Sequence, residues 1–373
     1  MTLRLPLSVP RRRLPVFVVA LATVAVACSR SAPAPRAEPA ETLATREARQ
    51  FVDSLRQSLS IPAMSASVVR DGRVVFSAGT GMADVERGIA ATPTTKFRVG
   101  SVSKILTAAA LMRLIEDGVL TLDEPVRRRL SPYPAHWPEI TLRQLAQHSA
   151  GIRHYRGAEF FSRTAYPSLR EAIHVFEADS VLFAPGTRYA YSSYGYNLLG
   201  AVMESVAGEP FPAIIERLVA RPLGMSATVA DSANRTIPGR AVIYRVTAEG
   251  VGITPEDDLS SRWPSGGYLS STADLARLGS AFTEAGFLSR ESLRVMRTPL
   301  VLANGDTVRV GIGWRVGVDS SGREYMHHGG SSNGGSAFLL VYPRERLVVA
   351  MAANAFANWG EQQALRLTSM FLE

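Results

Sequence analysis

The alternation of apolar and polar positions predicts secondary structure at the start of the folded chain. Residues 43–59 place apolar side chains at helical spacing, which predicts an amphipathic helix. Two runs rich in β-branched residues follow, 63–70 and 73–78, with Asp71-Gly72 between them. Because Asp-Gly between such runs is a strong hairpin signal, the two runs are predicted to pair as antiparallel strands.

The pattern changes twice after residue 100. From about 101 to 225 it is mainly helical, with loops that are bounded by proline and glycine. The C-terminal part returns to short strand-like runs and closes with a predicted helix over 362–371. The strand-like runs are 308–318, 323–327, 336–342 and 347–352.

This order of elements predicts an α/β (α+β) fold with two lobes in a domain that spans 45–373. Residues from about 45–100 and 300–373 would form one α/β lobe, in which helices from both ends of the chain flank an antiparallel sheet. Residues from about 101–260 would form an inserted helical lobe. The crevice between two such lobes is the expected place for a site.

The first 27 residues have the pattern of a secretory signal peptide. Residues 1–13 are basic, residues 14–27 form an uncharged apolar run, and small residues precede Cys28. The apolar run is shorter than the about 20 residues that a membrane-spanning helix needs. The signal therefore predicts export.

Cys28 stands where a bacterial lipobox places its lipidated thiol. We therefore expect a membrane-anchored lipoprotein that faces the periplasm or the cell exterior, held by acyl chains on Cys28. An ordinary cleavable signal with an incidental cysteine is the alternative. Residues 28–44 contain several prolines among alanines and charges, and they are predicted to form a flexible tether.

Composition excludes several classes of protein. Of the 373 residues, 46% are hydrophobic and 20% are charged, which is typical of a globular protein and argues against disorder or a coiled coil. The net charge is +8, but no long basic run with interleaved aromatics occurs, so a nucleic-acid partner is not expected. One cysteine allows neither an internal disulfide nor a cysteine-rich metal site.

The basic residues are almost all arginine, and Lys96 and Lys104 are the two lysines. Because arginine stays protonated in proteins, a retained lysine can mark a place where a base is needed. Ser101 and Lys104 form a Ser-x-x-Lys sequence at the start of a long helical pattern, so their side chains would lie one turn apart. A desolvated lysine can take the proton of a serine, which predicts a nucleophilic serine at Ser101.

Each of these residues also has an interpretation without chemistry. Ser101 could cap a helix, with Lys104 solvated, and a Tyr-rich stretch around Tyr191 could belong to a core or a surface. His148 and His154 are ordinary loop or core histidines by pattern. The chain has neither the His-Glu-x-x-His helix of a metalloprotease nor a Gly-x-Ser-x-Gly around its candidate serine, and no metal or cofactor is predicted.

Further segments carry a resemblance to a known family. Together with the Ser-x-x-Lys sequence, they resemble the serine β-lactamase and penicillin-binding-protein superfamily, in its class C-like branch of esterases, D-amino-acid peptidases and LACTB-type serine peptidases. The resemblance implies a β-lactamase/transpeptidase-like fold and covers nearly the whole chain after the tether. The segments that carry it are 97–104, 118–123, 140–145, 148–152, 185–195, 266–271 and 327–330.

The resemblance implies a role for each matching residue. Ser101 would be the acylated nucleophile, Lys104 would help to deprotonate it, and Tyr191 would relay protons to the leaving group and activate water. The backbone N–H groups of Ser101 and Gly330 would form the oxyanion hole, in which preorganised donors stabilise the developing charge. His327 would be the catalytic residue of the opposite wall.

Two positions depart from the family's motifs. Ser193 replaces the asparagine of Tyr-x-Asn, and His327-His328-Gly329 replaces Lys-Thr-Gly, although a register that begins at His328 also fits. Ser193, His328 and Gly329 are therefore possible wall residues. Because histidine is mostly neutral near pH 7, efficient β-lactamase or D-Ala-D-Ala carboxypeptidase activity is not expected.

The expected function is that of an exported serine hydrolase that acts on a small peptide or an ester through an acyl-enzyme on Ser101. Two alternatives stay open from the sequence. One is a weakly active module on the same fold that binds peptide or cell wall, and the other is a filament-forming scaffold lipoprotein. The natural substrate and the oligomeric state do not follow from the residues.

Overall fold

Strands from both ends of the chain form the largest sheet of the protein. The computed structural model describes residue 10 and residues 42–372. The strands are β1 (Ala63–Arg70), β2 (Arg73–Asp84), β3 (Ile89–Ala90), β4 (Phe97–Arg98), β5 (Val229–Ala230), β6 (Tyr244–Thr247), β7 (Gly250–Ile253), β8 (Tyr268–Ser270), β9 (Leu300–Val301), β10 (Thr307–Val308), β11 (Arg315–Val318), β12 (Glu324–Ser332), β13 (Gly335–Tyr342) and β14 (Leu347–Ala353).

The seven-stranded sheet has the order β11-β12-β13-β14-β1-β2-β3, and its neighbours pair in antiparallel fashion. The predicted hairpin is present: Asp71 and Gly72 both have positive φ, which a tight turn requires. Strand β1 also pairs with β14, with Val68 opposite Val349. The chain ends therefore build one sheet, and the predicted α/β fold is confirmed.

Ten α-helices occur within the described residues, and most of them lie between the two groups of strands. A short sheet of order β4-β8-β5 stands beside them. The helices are α1 (Leu43–Ser58), α2 (Ser103–Glu116), α3 (Leu142–Ala146), α4 (Leu169–Ala172), α5 (Ser193–Ala207), α6 (Phe211–Ile215), α7 (Trp263–Gly266), α8 (Thr272–Ser280), α9 (Arg290–Arg297) and α10 (Glu361–Ser369).

The central strands are apolar on both faces because each face covers a different core. On β14, Val349 and Met351 belong to a core with α1 and α10, whereas Val348 and Ala350 point to the core that includes α2 and α8. This arrangement follows the two-residue period of a strand. Continuous apolar runs at the C-terminus therefore mark a sheet that is covered on both sides.

The predicted single strand over 308–318 is wrong, since the structure has two short strands there. Gly311 and Gly313 lie between them, and Gly313 has a φ of +79°. A Cβ at Gly311 would lie 2.0 Å from the backbone oxygen of Met296, and one at Gly313 would lie 2.5 Å from the Cβ of Ala108. The chain turns here to pass close to α2, which brings the start of β11 to the nucleophile helix.

The inserted lobe also contains strands that the sequence pattern did not predict. Strands β6 and β7 form a hairpin, and β8 pairs on one side with β4, just before the candidate nucleophile, and on the other side with β5. These strands are two to four residues long, which is too short for a period of two to stand out. Residues 101–260 therefore contain more helix than strand, and the division into two lobes stays a prediction.

The predicted signal peptide, Cys28 and most of the predicted tether lie outside the described residues. Helix α1 begins at Leu43, two residues before the predicted start of the domain. In residues 42–372, no single helix has the length and apolar composition of a membrane span. The bent pair Ser193–Ala207 and Phe211–Ala220 meets those criteria only when its two helices are taken together.

Candidate active site

Ser101 lies in a tight turn that feeds directly into helix α2. Residues Gly100–Val102 form a single 3₁₀ turn, and Ser101 is partly exposed there. Gly100 has a φ of +50°, and a Cβ at this position would lie 2.6 Å from the backbone nitrogen of Ser331. The glycine therefore allows the turn to pack against strand β12 while Ser101 stays partly exposed.

Lys104 is fully buried one turn after Ser101. Its Nζ donates to the backbone oxygen of Ser265 at 2.7 Å, contacts Ser193 Oγ at 3.1 Å and lies 3.4 Å from Ser101 Oγ. Burial is the main cause that lowers the pKa of Lys104 to about 7; Tyr155 opposes this shift, and the charge of Arg315 makes a smaller contribution that lowers the pKa. A large fraction of this amine is therefore neutral near pH 7, with a free electron pair for the serine proton.

Tyr191 reaches the same serine from the loop before α5. Its hydroxyl donates to Ser101 Oγ at 2.9 Å, and its ring centroid lies 4.8 Å from Lys104 Nζ. Burial raises the pKa of Tyr191 to about 12, so its phenol keeps its proton at neutral pH. The two pKa directions distinguish the groups: the lysine can accept a proton in the resting site, and the tyrosine can supply one.

Two histidines for which the sequence indicated no chemistry pack against the ring of Tyr191. The ring centroid of His148 lies 4.5 Å from that of Tyr191, and His154 lies 5.5 Å away. Their Nδ1 atoms accept the backbone N–H groups of Ser192 and Ser193, at 3.1 and 3.2 Å. Burial lowers the pKa of His154 to about 4 and that of His148 well below its ordinary range, so both rings are neutral acceptors.

Strand β12 forms the opposite wall, and it presents His328 rather than His327 to the site. The His328 ring lies 6.3 Å from the Tyr191 ring, and its Nδ1 donates to the backbone oxygen of Gly329 at 2.7 Å. Burial, with the nearby Lys104, lowers the pKa of His328 to about 3. This wall therefore carries a neutral imidazole at pH 7.

The structure does not bring His327, the histidine expected to be catalytic, into contact with Ser101, Lys104 or Tyr191. His327 stacks on Phe338 at 5.4 Å, and its Nε2 lies 3.6 Å from Glu361 of helix α10. The reason is the alternation of side chains along a strand, which sends neighbours to opposite faces. The register that begins at His328 is the one that faces Ser101.

The glycines after His328 allow a close approach of strand and nucleophile. A Cβ at Gly330 would lie 1.9 Å from the backbone oxygen of Val99 and 3.0 Å from the backbone nitrogen of Ser101. At Gly329 a Cβ would instead meet the Phe338 ring at 3.2 Å. Gly330 is thus beside the serine, where an oxyanion hole needs a donor, and its role as that donor stays a prediction.

Arg315 brings an exposed positive charge to the mouth of the site. It lies at the start of β11, and its guanidinium carbon is 5.9 Å from the Tyr191 ring centroid. Its charge disfavours a proton on Lys104. The sequence pattern could not identify it, because it reaches the site through the pairing of β11 with β12.

The Arg315→Gln variant should therefore move the acid limb of the pH–rate profile to higher pH. The limb reports the deprotonation of Lys104, and removal of a neighbouring cation raises the pKa of that amine. The measurement is kcat from pH 5 to 10 with an uncharged ester. Arg344→Gln, on an arginine that is 80% exposed beside Glu324, should leave the midpoint unchanged. An unchanged midpoint in Arg315→Gln, or one at lower pH, contradicts the expectation.

A buried ion-pair network supports the nucleophile turn from behind. Arg98 is 1% exposed and donates to Asp231 at 2.6 Å and to Glu256 at 2.8 Å, and it also pairs with Asp257. It donates further to the backbone oxygen of Asn333, in the turn after β12. One side chain thus connects the strand before Ser101 with the opposite wall.

The Arg98→Met variant should lower the free energy of unfolding by about 3 kcal/mol. Removal of Arg98 takes one of two cations from each of the buried carboxylates Asp231 and Asp257, which keep Arg240 and Arg262 respectively. Removing one partner of a buried ion pair is costly, because it leaves buried charge less compensated. Urea unfolding measures the change. Arg344→Met removes an exposed pair and should change stability by less than about 0.5 kcal/mol. Equal effects of the two variants would show that the buried network does not stabilise the fold.

The fold and this centre define a serine hydrolase of the β-lactamase and transpeptidase class. Within residues 42–372, no group of three or more histidine, cysteine, aspartate or glutamate side chains is placed to hold a metal ion. The Beta-lactamase family model matches residues 48–368, and the chain therefore belongs to the beta-lactamase family.

Curated relatives cover most of the chain at low identity. The mitochondrial serine beta-lactamase-like protein LACTB of Homo sapiens is 26% identical over 408 residues, which are 84% of this chain and 74% of that protein. A D-aminopeptidase of Gluconobacter oxydans is 27% identical over 299 residues, 79% of this chain and 56% of that enzyme. The expected family is confirmed.

Solved structures share the fold over nearly the whole described domain. A penicillin-binding protein homologue from Pyrococcus abyssi, described as octameric, is 26% identical with a TM-score of 0.73, covering 83% of this chain and 73% of that one. EstCE1, described as a hydrolase with promiscuous acyltransferase activity, is 24% identical with a TM-score of 0.74, covering 88% and 99%. The second likeness, below 25% identity, shows the fold alone.

Proposed function

We propose that this protein is an exported hydrolase that cleaves an amide or an ester of a small peptide or similar acyl compound through an acyl-enzyme on Ser101. One observation carries the proposal: Ser101 Oγ lies 3.4 Å from the amine of Lys104 and 2.9 Å from the hydroxyl of Tyr191. This arrangement provides a nucleophile with a base on one side and a proton donor on the other.

In the first half-reaction, neutral Lys104 accepts the Ser101 proton while Oγ attacks the substrate carbonyl carbon. The carbonyl oxygen becomes an oxyanion, which backbone N–H groups beside Ser101 stabilise. Tyr191 passes a proton to the leaving amine or alcohol and regains one from Lys104. The carbon–leaving group bond breaks, and the acyl group stays on Ser101.

In the second half-reaction, water attacks the acyl carbon. The proton of that water returns through Tyr191 and Lys104 to Ser101 Oγ as the ester bond to the serine breaks. The product is a carboxylic acid, and the site regains its starting protonation. Neutral His148 and His154 keep the ring of Tyr191 in position throughout.

Two observations support the proposed class of substrate: the chemistry of the β12 wall and the described activity of a relative. The neutral ring of His328 offers no fixed cation on the β12 wall, so a classical β-lactam or D-Ala-D-Ala substrate would have to place its carboxylate on Arg315 of β11 instead. One relative, at 27% identity, is described as a D-aminopeptidase. Peptide amides and esters are therefore the first substrates to test.

A fluorophosphonate probe tests the nucleophile. Intact protein should gain one phosphonyl mass at Ser101, because the activated oxygen displaces fluoride from phosphorus. Ser101→Ala should gain none, and Ser54→Ala, on the exposed side of α1, should label like the parent protein. Absence of labelling in folded protein, or equal labelling of Ser101→Ala, would overturn the proposal.

A peptide-binding module with slow turnover is the second candidate. The observation behind it is Ser193, whose hydroxyl contacts Lys104 at 3.1 Å in the place of the family's asparagine. A hydroxyl offers fewer hydrogen bonds to a substrate amide than an asparagine side chain does. Tight binding of peptides without hydrolysis that depends on Ser101 would favour this candidate.

Export and anchoring are proposed from the sequence alone. The basic, apolar and small-residue segments before Cys28 form the signal, and the thiol of Cys28 is the acceptor for lipid. In a bacterial host, the full chain should partition into detergent and gain acyl mass at Cys28. Cys28→Ala should lose both properties, and equal partitioning of the two proteins would contradict the anchor.

A further inference from the structure

A second lysine borders a groove beside the short sheet of strands β4, β8 and β5. Lys96 lies directly before β4, and the groove beside it has a cavity volume of about 500 Å³. Pockets of this size hold small organic ligands. Ile215 and Ile237 contribute apolar walls, and Tyr268 of strand β8 lines the groove as well. None of the groups that act on Ser101 lines it.

Tyr268 has a buried hydroxyl that lacks a partner. Its side chain is 2% exposed, and its OH finds no hydrogen bond within the described residues. Burial, with the carboxylate of Glu216 as a second cause, raises the pKa of this phenol, and Glu216 lines the same groove. A phenol that keeps its proton can donate a hydrogen bond. A buried donor that has no acceptor costs free energy in the folded state.

The rim of the groove carries two cations. Lys96 Nζ donates to the backbone oxygen of Pro238 at 2.8 Å, which leaves two of its three N–H bonds for other acceptors. Arg235 lines the same rim, is exposed, and forms no ion pair with the residues that the structure describes. The lining of the groove thus carries two cations, Lys96 and Arg235, against one carboxylate, Glu216.

We propose that this groove binds a small carboxylate with an apolar tail. The tail would lie against Ile215 and Ile237, and the carboxylate oxygens would accept hydrogen bonds from the hydroxyl of Tyr268 and the amine of Lys96. A carboxylate matches the donors of the groove because, when ionised, it only accepts. An amine would meet Lys96 and Arg235 with like charge, and an alcohol would leave the cations unpaired.

The groove is connected to the nucleophile turn through the backbone of Tyr268. Its carbonyl accepts from the backbone nitrogen of Val99 at 3.0 Å, and its N–H donates to Ser103 Oγ at 3.2 Å. Both partners lie within two residues of Ser101. A ligand on the ring of Tyr268 thus contacts a strand that holds the active serine, but binding itself does not require hydrolysis.

Hexanoate is a suitable probe. Its binding to the full folded protein is measured by ligand-observed NMR during a titration. We expect saturable binding with a Kd of about 0.1–1 mM, typical of a ligand with so few atoms. Hexylamine and 1-hexanol should bind at least about tenfold more weakly. Ser101→Ala should bind hexanoate like the parent protein, which separates this groove from product binding at the active site.

Tyr268→Phe is the sharpest variant, because it removes an unpartnered hydroxyl and should not lower stability. It should weaken hexanoate binding about tenfold, the usual effect of a lost hydrogen bond to a charged group. Lys96→Gln, which keeps a donor for Pro238, should weaken it about fivefold. Absence of saturable binding would overturn the proposal, and so would equal affinity for hexylamine or unchanged affinity in both variants. Loss of binding in Ser101→Ala would place the ligand in the active site instead.

Discussion

The Lys104→Arg variant is expected to lose at least about 10³-fold in kcat, even though it keeps a cationic side chain. Arginine stays protonated, so it cannot accept the proton of Ser101. A positioned general base contributes about 10²–10⁴-fold, and the larger guanidinium must also fit a fully buried place. Steady-state hydrolysis of an uncharged ester at pH 8 measures the effect. Turnover at the parent rate would show that the lysine is not the base.

The control for this prediction is Lys104→Met, which distinguishes loss of chemistry from loss of fold. In the unfolded chain the amine titrates near 10.5, and in the folded protein its pKa is about 7. Between these values the unfolded state binds the extra proton, so the stability of the parent protein rises with pH from about 7 to 10.5. Methionine has no such dependence.

The methionine variant should therefore gain stability over the parent mainly below pH 7. Its advantage should decrease by up to about 5 kcal/mol as the pH rises to 10.5, which is the free-energy equivalent of the lowered pKa. Lost hydrogen bonds to Ser265 and Ser193 reduce the absolute value at every pH but not this trend. Urea unfolding between pH 6 and 10 measures it, and an advantage that grows with pH would contradict a buried neutral lysine.

The Tyr191→Phe variant is expected to lose about 10²–10³-fold in the hydrolysis of an amide. Its hydroxyl donates to Ser101, and its removal leaves no proton donor for a poor amine leaving group. Acylation by a p-nitrophenyl ester should decrease by less than about tenfold, because that leaving group departs as an anion. Stopped-flow acylation with the two substrates gives the comparison.

Equal losses for amide and ester would assign Tyr191 to positioning rather than proton transfer. A suitable control is Tyr189→Phe, since Tyr189 shares the tyrosine-rich stretch but its hydroxyl makes no hydrogen bond to the serine. That variant should retain the preference of the parent protein between amide and ester. A large, amide-selective loss in Tyr189→Phe would shift the donor role away from Tyr191.

Local patterns in the sequence predicted those parts of the site that lie close together in the chain. Ser101 and Lys104 are one helical turn apart, so spacing alone places their side chains together. The hairpin at Asp71-Gly72 was predictable for the same reason, because its turn and its strands are contiguous. The tyrosine could be placed only through the resemblance to a family, since four tyrosines occur in its segment.

The remaining groups depend on pairings between distant segments. The carbonyl of Ser265 that holds Lys104 lies 161 residues away in the chain, and Arg315 reaches Tyr191 through strand pairing. The choice between His327 and His328 is a question of which face of β12 covers the crevice. A shift of one residue reverses that choice, and no local pattern determines it.

The central claim is that Lys104 is a neutral base in the folded protein, and NMR of lysine side chains tests it most directly. The chain has two lysines, so labelling with [13Cε]lysine gives two signals, and the one absent from Lys104→Met belongs to Lys104. Its titration should have a midpoint near pH 7. A midpoint at 10 or above in folded protein would mean that the amine stays protonated at neutral pH, and it would contradict this mechanism.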